Sequence, residues 1–302
     1  MSELQSLRDW LRYAVTRLQQ TEVFFGHGTD NALDEAYRLV FGVLSLPISQ
    51  QRLFLDARLT LAEQQAMAKA IDQRTEDRIP TAYITGESWF CELPFKVTKD
   101  TLIPRSPIAE LIDNQFQPWL IESPQRVLDL CTGSGCIGLA IAYYLPEAEV
   151  HLSDLSEAAL AVAKANTQAL GLEEQVSLWQ SDLFAQIPSQ CYDLIVTNPP
   201  YVDRPDMDSL PAEYRHEPVL ALAAGEDGLS LVHGILAHSP EYLSAQGVLI
   251  CEVGNSAQAL QDCYPEVPFI WIEFERGGDG VFMLDRQTLV AHQALFLAQI
   301  NE

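Results

Sequence analysis

The chain is poor in positive charge. Lysine and arginine total 18 among 302 residues, against 42 aspartates and glutamates, which leaves a formal net charge of −24. An enzyme that grips a phosphate backbone needs a basic footprint, so DNA is a poor candidate partner and a basic protein a better one. General surface solubility would produce the same balance, because net charge speaks to association and not to fold. Cys91, Cys131, Cys136, Cys191, Cys251 and Cys263 lack any C-x-x-C spacing. This argues against a zinc site or a disulfide framework and leaves no metal expected; reduced thiols in a cytoplasmic protein are the simplest reading. No apolar run reaches the length of a membrane span. Met1 to Arg12 has no export-signal core, so neither membrane nor export is expected. Internal repeats and low-complexity tracts are also missing.

What is present begins with helices. Leu4, Leu7, Leu11, Val15 and Leu18 recur at helical spacing. Asp30 is placed to cap a second helix carrying Leu33, Tyr37, Val40 and Leu44. Thr60 and Glu63 have capping-box spacing for a third helix, which runs toward Asp77 before Pro80 stops it. Ala82 to Thr98, rich in aromatic and β-branched residues, reads as a β-hairpin. Pro104 and Pro107 bracket the start of a helix over Ile108–Gln115. The expected division is a helical domain over 1–80, a hairpin linker over 81–103 and an α/β domain over 104–302.

From Arg126 the pattern changes to strands alternating with helices. Strands are expected at Val127–Cys131, Glu149–Ser153, Val176–Gln180, Leu194–Thr197, Val248–Val253, Phe269–Phe274 and Val281–Leu284. Such alternation predicts a parallel, doubly wound α/β sheet. The last two strands stand too close for a helical crossover, and Gly277, Gly278 and Gly280 predict an antiparallel hairpin there.

The first of these strands runs into Asp129, Cys131, Thr132, Gly133, Ser134 and Gly135. Gly133, Gly135 and Gly138 match G-x-G-x-x-G, a turn whose backbone can approach a ligand closely. Asp154 ends the next strand, 19 residues after Gly135, where a carboxylate can accept both ribose hydroxyls. Taken alone, this loop leaves a nicotinamide dinucleotide and S-adenosylmethionine both open. Asp129, directly before the turn, suits a cationic methionine ammonium better than a pyrophosphate. Asp182 offers a carboxylate to an adenine amino group, with Leu183 and Phe184 as apolar walls.

At the end of the fourth strand stand Asn198, Pro199, Pro200 and Tyr201. Asn-Pro alone reads as a strand terminator, but a second proline and an aromatic at a strand's carboxyl end point into the ligand crevice. An amide nitrogen is a poor nucleophile because its lone pair is delocalised. The Asn198 side-chain oxygen and the Pro199 carbonyl can each accept one of its N–H bonds, and they hold it better as it becomes positive in the transition state. Proline stiffens the backbone behind that carbonyl. Tyr201 is expected to pack on the planar amide and exclude water. With this motif the cofactor reading moves to S-adenosyl-L-methionine, leaving S-adenosyl-L-homocysteine as product, and Asn198 borders both ligands.

The chain resembles the protein-glutamine N5-methyltransferase family along essentially its whole length, through Asn198-Pro-Pro-Tyr201, Ile103-Pro-Arg105, Glu217-Pro218 and Glu252-Val-Gly254. The resemblance implies a class I (Rossmann-like) S-adenosylmethionine-dependent methyltransferase with a small N-terminal helical domain and a linking β-hairpin. It implies a cofactor site at Cys131–Gly135, Asp154 and Asp182–Leu183, and a substrate amide at Asn198–Tyr201. Arg105 is read either as support for the substrate pocket or as a structural ion pair with Glu110 or Glu217, and His216 as a structural hydrogen-bonding residue. Gly26-His-Gly-Thr-Asp-Asn31, Pro104-Arg-Ser-Pro107, Tyr214-Arg-His-Glu-Pro218 and Gly277-Gly-Asp-Gly-Val-Phe282 are similar to the branch that acts on large-subunit ribosomal protein L-three. That implies a basic protein substrate, free or in an assembling large subunit, recognised by the helical domain. Release factors are the alternative substrate. Adenine-N6 DNA methylation, which shares the Asn-Pro-Pro-Tyr logic, is disfavoured by the charge.

Overall fold

The computed structural model of the chain describes residues 3–300; residues 1, 2, 301 and 302 of the expected domain spans lie outside it. Helix α1 (Leu7–Gln20) starts at a reciprocal cap, in which Ser6 Oγ accepts from the Asp9 amide and the Asp9 carboxylate accepts from the Ser6 amide. Helix α2 (Ala32–Val43) is capped by Asn31 and not, as expected, by Asp30. Asn31 Oδ1 accepts from the amides of Leu33 and Asp34, and Asp30 only braces the Asn31 side chain. A cap oxygen must reach the second and third amides of the helix, and Asn31 is one residue nearer. After a short α3 (Gln51–Phe54), α4 (Leu61–Thr75) begins at the Thr60–Glu63 capping box. Leu7, Trp10, Leu11 and Leu18 pack with Ala36, Leu39 and Val40 and with Met67 and Ile71. These side chains form a separate apolar cluster, each large one contributing roughly 1.5–3 kcal/mol on burial.

The expected hairpin starts later than Ala82. Thr81–Thr85 form one more helical piece, α5, which ends at Gly86 in the left-handed conformation. Strands β1 (Glu87–Phe90) and β2 (Leu93–Lys96) then pair antiparallel around Cys91 and Glu92, both at positive φ. Helix α6 (Ile108–Asp113) is shorter than the span Ile108–Gln115, because Gln115 and Phe116 adopt left-handed backbone.

The remaining strands are β3 (Arg126–Leu130), β4 (Glu149–Asp154), β5 (Val176–Gln180), β6 (Tyr192–Thr197), β7 (Leu243–Glu252), β8 (Ile270–Trp271) and β9 (Val281–Asp285). They make one seven-stranded sheet in the order β5-β4-β3-β6-β7-β9-β8, with β9 antiparallel to both its neighbours and the rest parallel. Two lengths depart from expectation. Strand β7 begins at Leu243, paired to Tyr192 ahead of a register shift, and β8 is only two residues before the chain turns away. Alternate residues serve opposite faces. Val127, Leu194, Val196 and Ile250 meet α7 (Cys136–Tyr144) and Ala163 of α8 (Glu157–Leu170). Leu128, Ile195, Leu249 and Phe282 meet α10 (Ser230–Tyr242) and α12 (Arg286–Ile300). Both faces are covered, as a doubly wound sheet requires. The strand order reverses between β3 and β6, which opens a crevice at their carboxyl ends.

Candidate active site

A cavity of about 240 Å³ occupies that crevice, against the roughly 10–15 Å³ that a single water needs. It is lined by the segments after four parallel strands: Cys131–Ser134 after β3, Asp154–Ser156 after β4, Ser181–Leu183 after β5, and Asn198 and Pro200 after β6. Arg105 closes another side. Of the residues expected from sequence, Cys131, Thr132, Gly133, Ser134, Asp154, Asp182, Leu183, Asn198, Pro200 and Arg105 therefore share one wall system. Asp129, Gly135, Pro199 and Tyr201 stand behind it.

The loop after β3 owes its course to backbone that few side chains permit. Cys131, Gly133 and Gly135 all have positive φ, and α7 then presses close to the sheet. A Cβ at Gly138 would meet the Leu152 side chain and stand 3.0 Å from Asp129 Cβ, so only glycine lets the helix start there. Asp129 is fully buried, and its Oδ2 accepts from the Gly138 amide at 2.9 Å and from Thr132 Oγ1. Its Oδ1 has no partner. Burial pushes its pKa up to about 7 against those two hydrogen bonds, with the charge of Asp154 adding to the rise. Asp129 is thus a brace of the loop and not a lining group. Asp154 accepts from the amides of Gly133 (2.8 Å) and Ser156 (2.9 Å) while bordering the cavity, and burial raises its pKa too. Asp182 is exposed at the rim.

Asn198 leaves β6 half-buried, followed by two buried prolines. Tyr201 differs from expectation. Its ring lies against Gly254, where a Cβ would come within 2.5 Å, and its hydroxyl donates to Glu252 Oε1 at 3.1 Å. Ser256 Oγ donates to the Tyr201 carbonyl at 2.8 Å. With the ring engaged by Gly254 and Glu252, Tyr201 backs the motif and is not a lid over the cavity. Glu252, at the end of β7, is 4% exposed. It also accepts from Ser106 Oγ at 2.5 Å and from the Asn198 side chain, and burial raises its pKa despite these donors.

Arg105 resolves to a bidentate pair with Glu217, at 2.6 and 2.8 Å, under the Tyr214 ring at 5.2 Å. Glu110 instead accepts from the amides of Glu275 and Arg276. The pair and the pocket wall are therefore one structure. Burial would raise the Glu217 pKa, but the His27 ring 3.6 Å away and the Arg105 guanidinium pull it down to about 2. Close by, the buried Arg74 reaches Glu35 (2.6 Å), Glu213 (3.2 Å) and the Phe24 carbonyl (2.8 Å). The 212–217 segment is in this way bolted to the helical cluster. His216 sits at the rim of that joint, its Nε2 lying 2.9 Å from the Asp77 carbonyl, and it does not line the cavity. Because a carbonyl only accepts, Nε2 is the protonated nitrogen in that contact.

Sequence reasoning missed Thr101, Leu102, Pro104, Ser106, Pro218 and Leu220 as lining residues. The proline pairs around Arg105 and after Glu217 were the available signal, since each stiffens a segment that later proves to be a wall. Among the described residues no cluster of histidine, cysteine, aspartate or glutamate is arranged to hold a metal ion, and no helix is long and apolar enough to cross a membrane.

Residues 9–86 match the family model described as the PrmC N-terminal domain, and residues 111–212 match the methyltransferase small domain. The chain is 47% identical over 293 residues to a ribosomal protein uL3 glutamine methyltransferase of Xanthomonas campestris pv. campestris, spanning 97% of this chain and 95% of that one. A ribosomal protein uL3 glutamine methyltransferase of Bordetella pertussis is 45% identical over 289 residues, 95% of this chain and 97% of its own.

Proposed function

We propose, for a chain that belongs to the family of ribosomal protein uL3 glutamine methyltransferases, that it methylates the N5 side-chain nitrogen of a glutamine on ribosomal protein uL3. The observation that carries this reading is the Asn198-Pro-Pro-Tyr201 turn at the rim of a crevice whose other walls are the glycine loop and Asp154. The methyl donor is S-adenosyl-L-methionine, which supplies a methyl group already activated on a sulfonium and leaves as S-adenosyl-L-homocysteine. The residues suit that group. An orphaned carboxylate oxygen on Asp129, with Asp154 and Asp182 nearby, makes the crevice hospitable to a cation and hostile to a pyrophosphate.

The chain's own contribution is positional. Gly133, Gly135 and Cys131 hold the loop open, Asp154 is assigned to the ribose hydroxyls, and Asp182 with Leu183 to the adenine edge. Asn198 Oδ1 and the Pro199 carbonyl take one N–H each of the target amide, aiming its nitrogen into the crevice. Pro200 and Tyr201 keep that turn rigid, Tyr201 through Glu252 and Gly254. Arg105, tied to Glu217, walls the substrate side. No strong base is needed, because the product nitrogen sheds its proton to water.

We assign the helical segment over 1–80 to recognition of the protein substrate, the hairpin segment over 81–103 to linkage and 104–302 to catalysis. The substrate is a basic, ribosomal-RNA-binding protein, free or in an assembling large subunit, and the net charge of −24 favours its approach. Neither DNA nor a membrane enters this scheme, and the setting is the cytoplasm. Transfer of a tritiated methyl group to purified uL3, followed by amino-acid analysis for N5-methylglutamine, tests it. Label appearing only on a release factor would overturn the substrate, and label on adenine in DNA would overturn the reaction class.

A further inference from the structure

An asparagine side chain is an ambiguous tool. Its oxygen accepts and its nitrogen donates, and the two ends have nearly the same shape. The amide reading needs Asn198 to present its oxygen to the crevice, since a flipped side chain would set one NH2 against another. Nothing in the Asn-Pro-Pro-Tyr sequence itself decides between the two orientations.

Glu252 supplies the decision. Strand β7 runs beside β6, with Thr197 in register with Cys251, so the residues that follow, Asn198 and Glu252, emerge side by side at the carboxyl ends. The carboxylate is buried, and it collects donors from three segments: Ser106 Oγ at 2.5 Å, the Tyr201 hydroxyl at 3.1 Å and the Asn198 side chain. An ionised carboxylate only accepts, so the Asn198 atom that serves it is the Nδ2 amino group. We propose that Glu252 is the positioning residue of this enzyme: by holding Asn198 Nδ2 it turns Oδ1 toward the crevice as the acceptor for a substrate N–H. The proposal rests on the amide-clamp reading above and adds the group that sets its polarity. Flipping Asn198 would place its carbonyl oxygen against the carboxylate and lose a charge-assisted hydrogen bond. The same buried negative charge lies behind the acceptor that faces a nitrogen turning positive, a placement that favours the transition state over the ground state.

The test exchanges the partners. Glu252→Gln weakens the preference for the productive orientation, and kcat should fall by about 10²-fold, with calorimetric affinity for S-adenosyl-L-methionine and KM for uL3 within about a factor of two. Asn198→Asp sets two carboxyls face to face and should be at least as impaired at neutral pH. The double variant Asn198→Asp/Glu252→Gln restores one donor and one acceptor with the net charge unchanged. It should recover at least about tenfold over Asn198→Asp, the signature of two residues acting as a pair. A merely structural carboxylate predicts no such rescue, so a double variant no better than Asn198→Asp overturns the proposal, as does wild-type kcat in Glu252→Gln.

Should Glu252→Gln fail to fold, Asn198→Asp alone decides by its pH profile. Apart from the introduced carboxyl itself, the titratable or charged groups facing Glu252 are Arg105 and Tyr201, neither of which changes charge in the acid range. Protonating one of the two carboxyls recreates a donor between them, so activity relative to wild type should rise as pH falls, and a flat ratio refutes the pairing. Asn198→Ala separates the two levels. If it turns over normally, the clamp reading itself fails; if it is inactive while Glu252→Gln is unimpaired, only the assignment of Glu252 fails.

Discussion

The two halves of the crevice are built by different means. The half around Asp154 is assembled from neighbours in sequence: Gly133 donates to Asp154, Thr132 and Gly138 donate to Asp129, and each contact spans a single strand-turn-helix unit or two adjacent ones. The half around Arg105 is assembled across the chain. Arg105 meets Glu217, Ser106 meets Glu252 and Arg74 meets Glu213, partners separated by 112, 146 and 139 residues. A locally built site tolerates movement elsewhere, whereas a site closed by distant buried pairs depends on the whole fold. The difference is suited to a small cofactor on one side and a protein substrate on the other.

Breaking the distant half should have the largest effect. Arg74→Ala leaves Glu35 and Glu213, both about 2–3% exposed, without their main cation. An expected loss of about 3–5 kcal/mol in denaturant unfolding follows, because an uncompensated buried charge costs more than the pair contributed. A loss below about 1 kcal/mol, the scale of an exposed pair, would mean that the joint is ornamental. Next comes Asn198→Ala, which should lower kcat by about 10²–10³-fold with cofactor affinity intact, on the scale of removing one transition-state hydrogen-bonding group.

The Glu217 pair gives a pH test of similar size. Its folded pKa lies near 2, below the ordinary 4.5. A depressed carboxylate pKa stabilises the fold fully above 4.5, and that contribution, about 3 kcal/mol, disappears as pH falls toward 2. Glu217→Gln should therefore show a shallower decline in unfolding free energy over that window than the wild type. Parallel declines would remove Glu217 as the cause. On the local half, Asp154→Ala should weaken S-adenosyl-L-methionine binding by at least about tenfold, as loss of charge-assisted hydrogen bonds predicts, with little change in thermal stability. Unchanged calorimetric affinity would discredit the ribose assignment.

The smallest expected effect concerns the acidic surface. Raising salt from about 0.05 to about 0.5 M (about 14 to 4 Å in Debye length) should reduce kcat/KM for uL3 severalfold while kcat holds. A salt-independent kcat/KM would leave the charge as a matter of solubility.

The contrast between the halves also explains what could be read before folding. Strand β5 over Val176–Gln180 matches its expected span residue for residue, and the Thr60–Glu63 box caps α4 as its spacing indicates. Both signals sit inside short windows, where periodicity and capping act directly. Near misses arose where local signals were nearly degenerate. Asp30 and Asn31 are both good caps, and reach to the right amides picked Asn31. Thr81–Thr85 has strand-like residues, yet it packs as a helix against α2 and α4. Phe269 to Phe274 looked like a full strand, but only Ile270 and Trp271 pair with β9. The role of Tyr201 could not be read from its place in the motif, because Gly254 and Glu252 lie more than fifty residues away.

Chain order alone was enough for the alternation of strands and helices, the glycine turn, the carboxylates at strand ends and the Asn-Pro-Pro-Tyr turn. Each depends on residues a few positions apart, so dihedral preference and hydrophobic period settle it. Folding was needed to bring Glu217 under Arg105, to place Asn198 and Tyr201 on Glu252, and to keep Asp129 behind the wall it was expected to line. Those outcomes turn on which distant groups share a water-poor interior, where an unpaired charge is costly and its partner is set by packing.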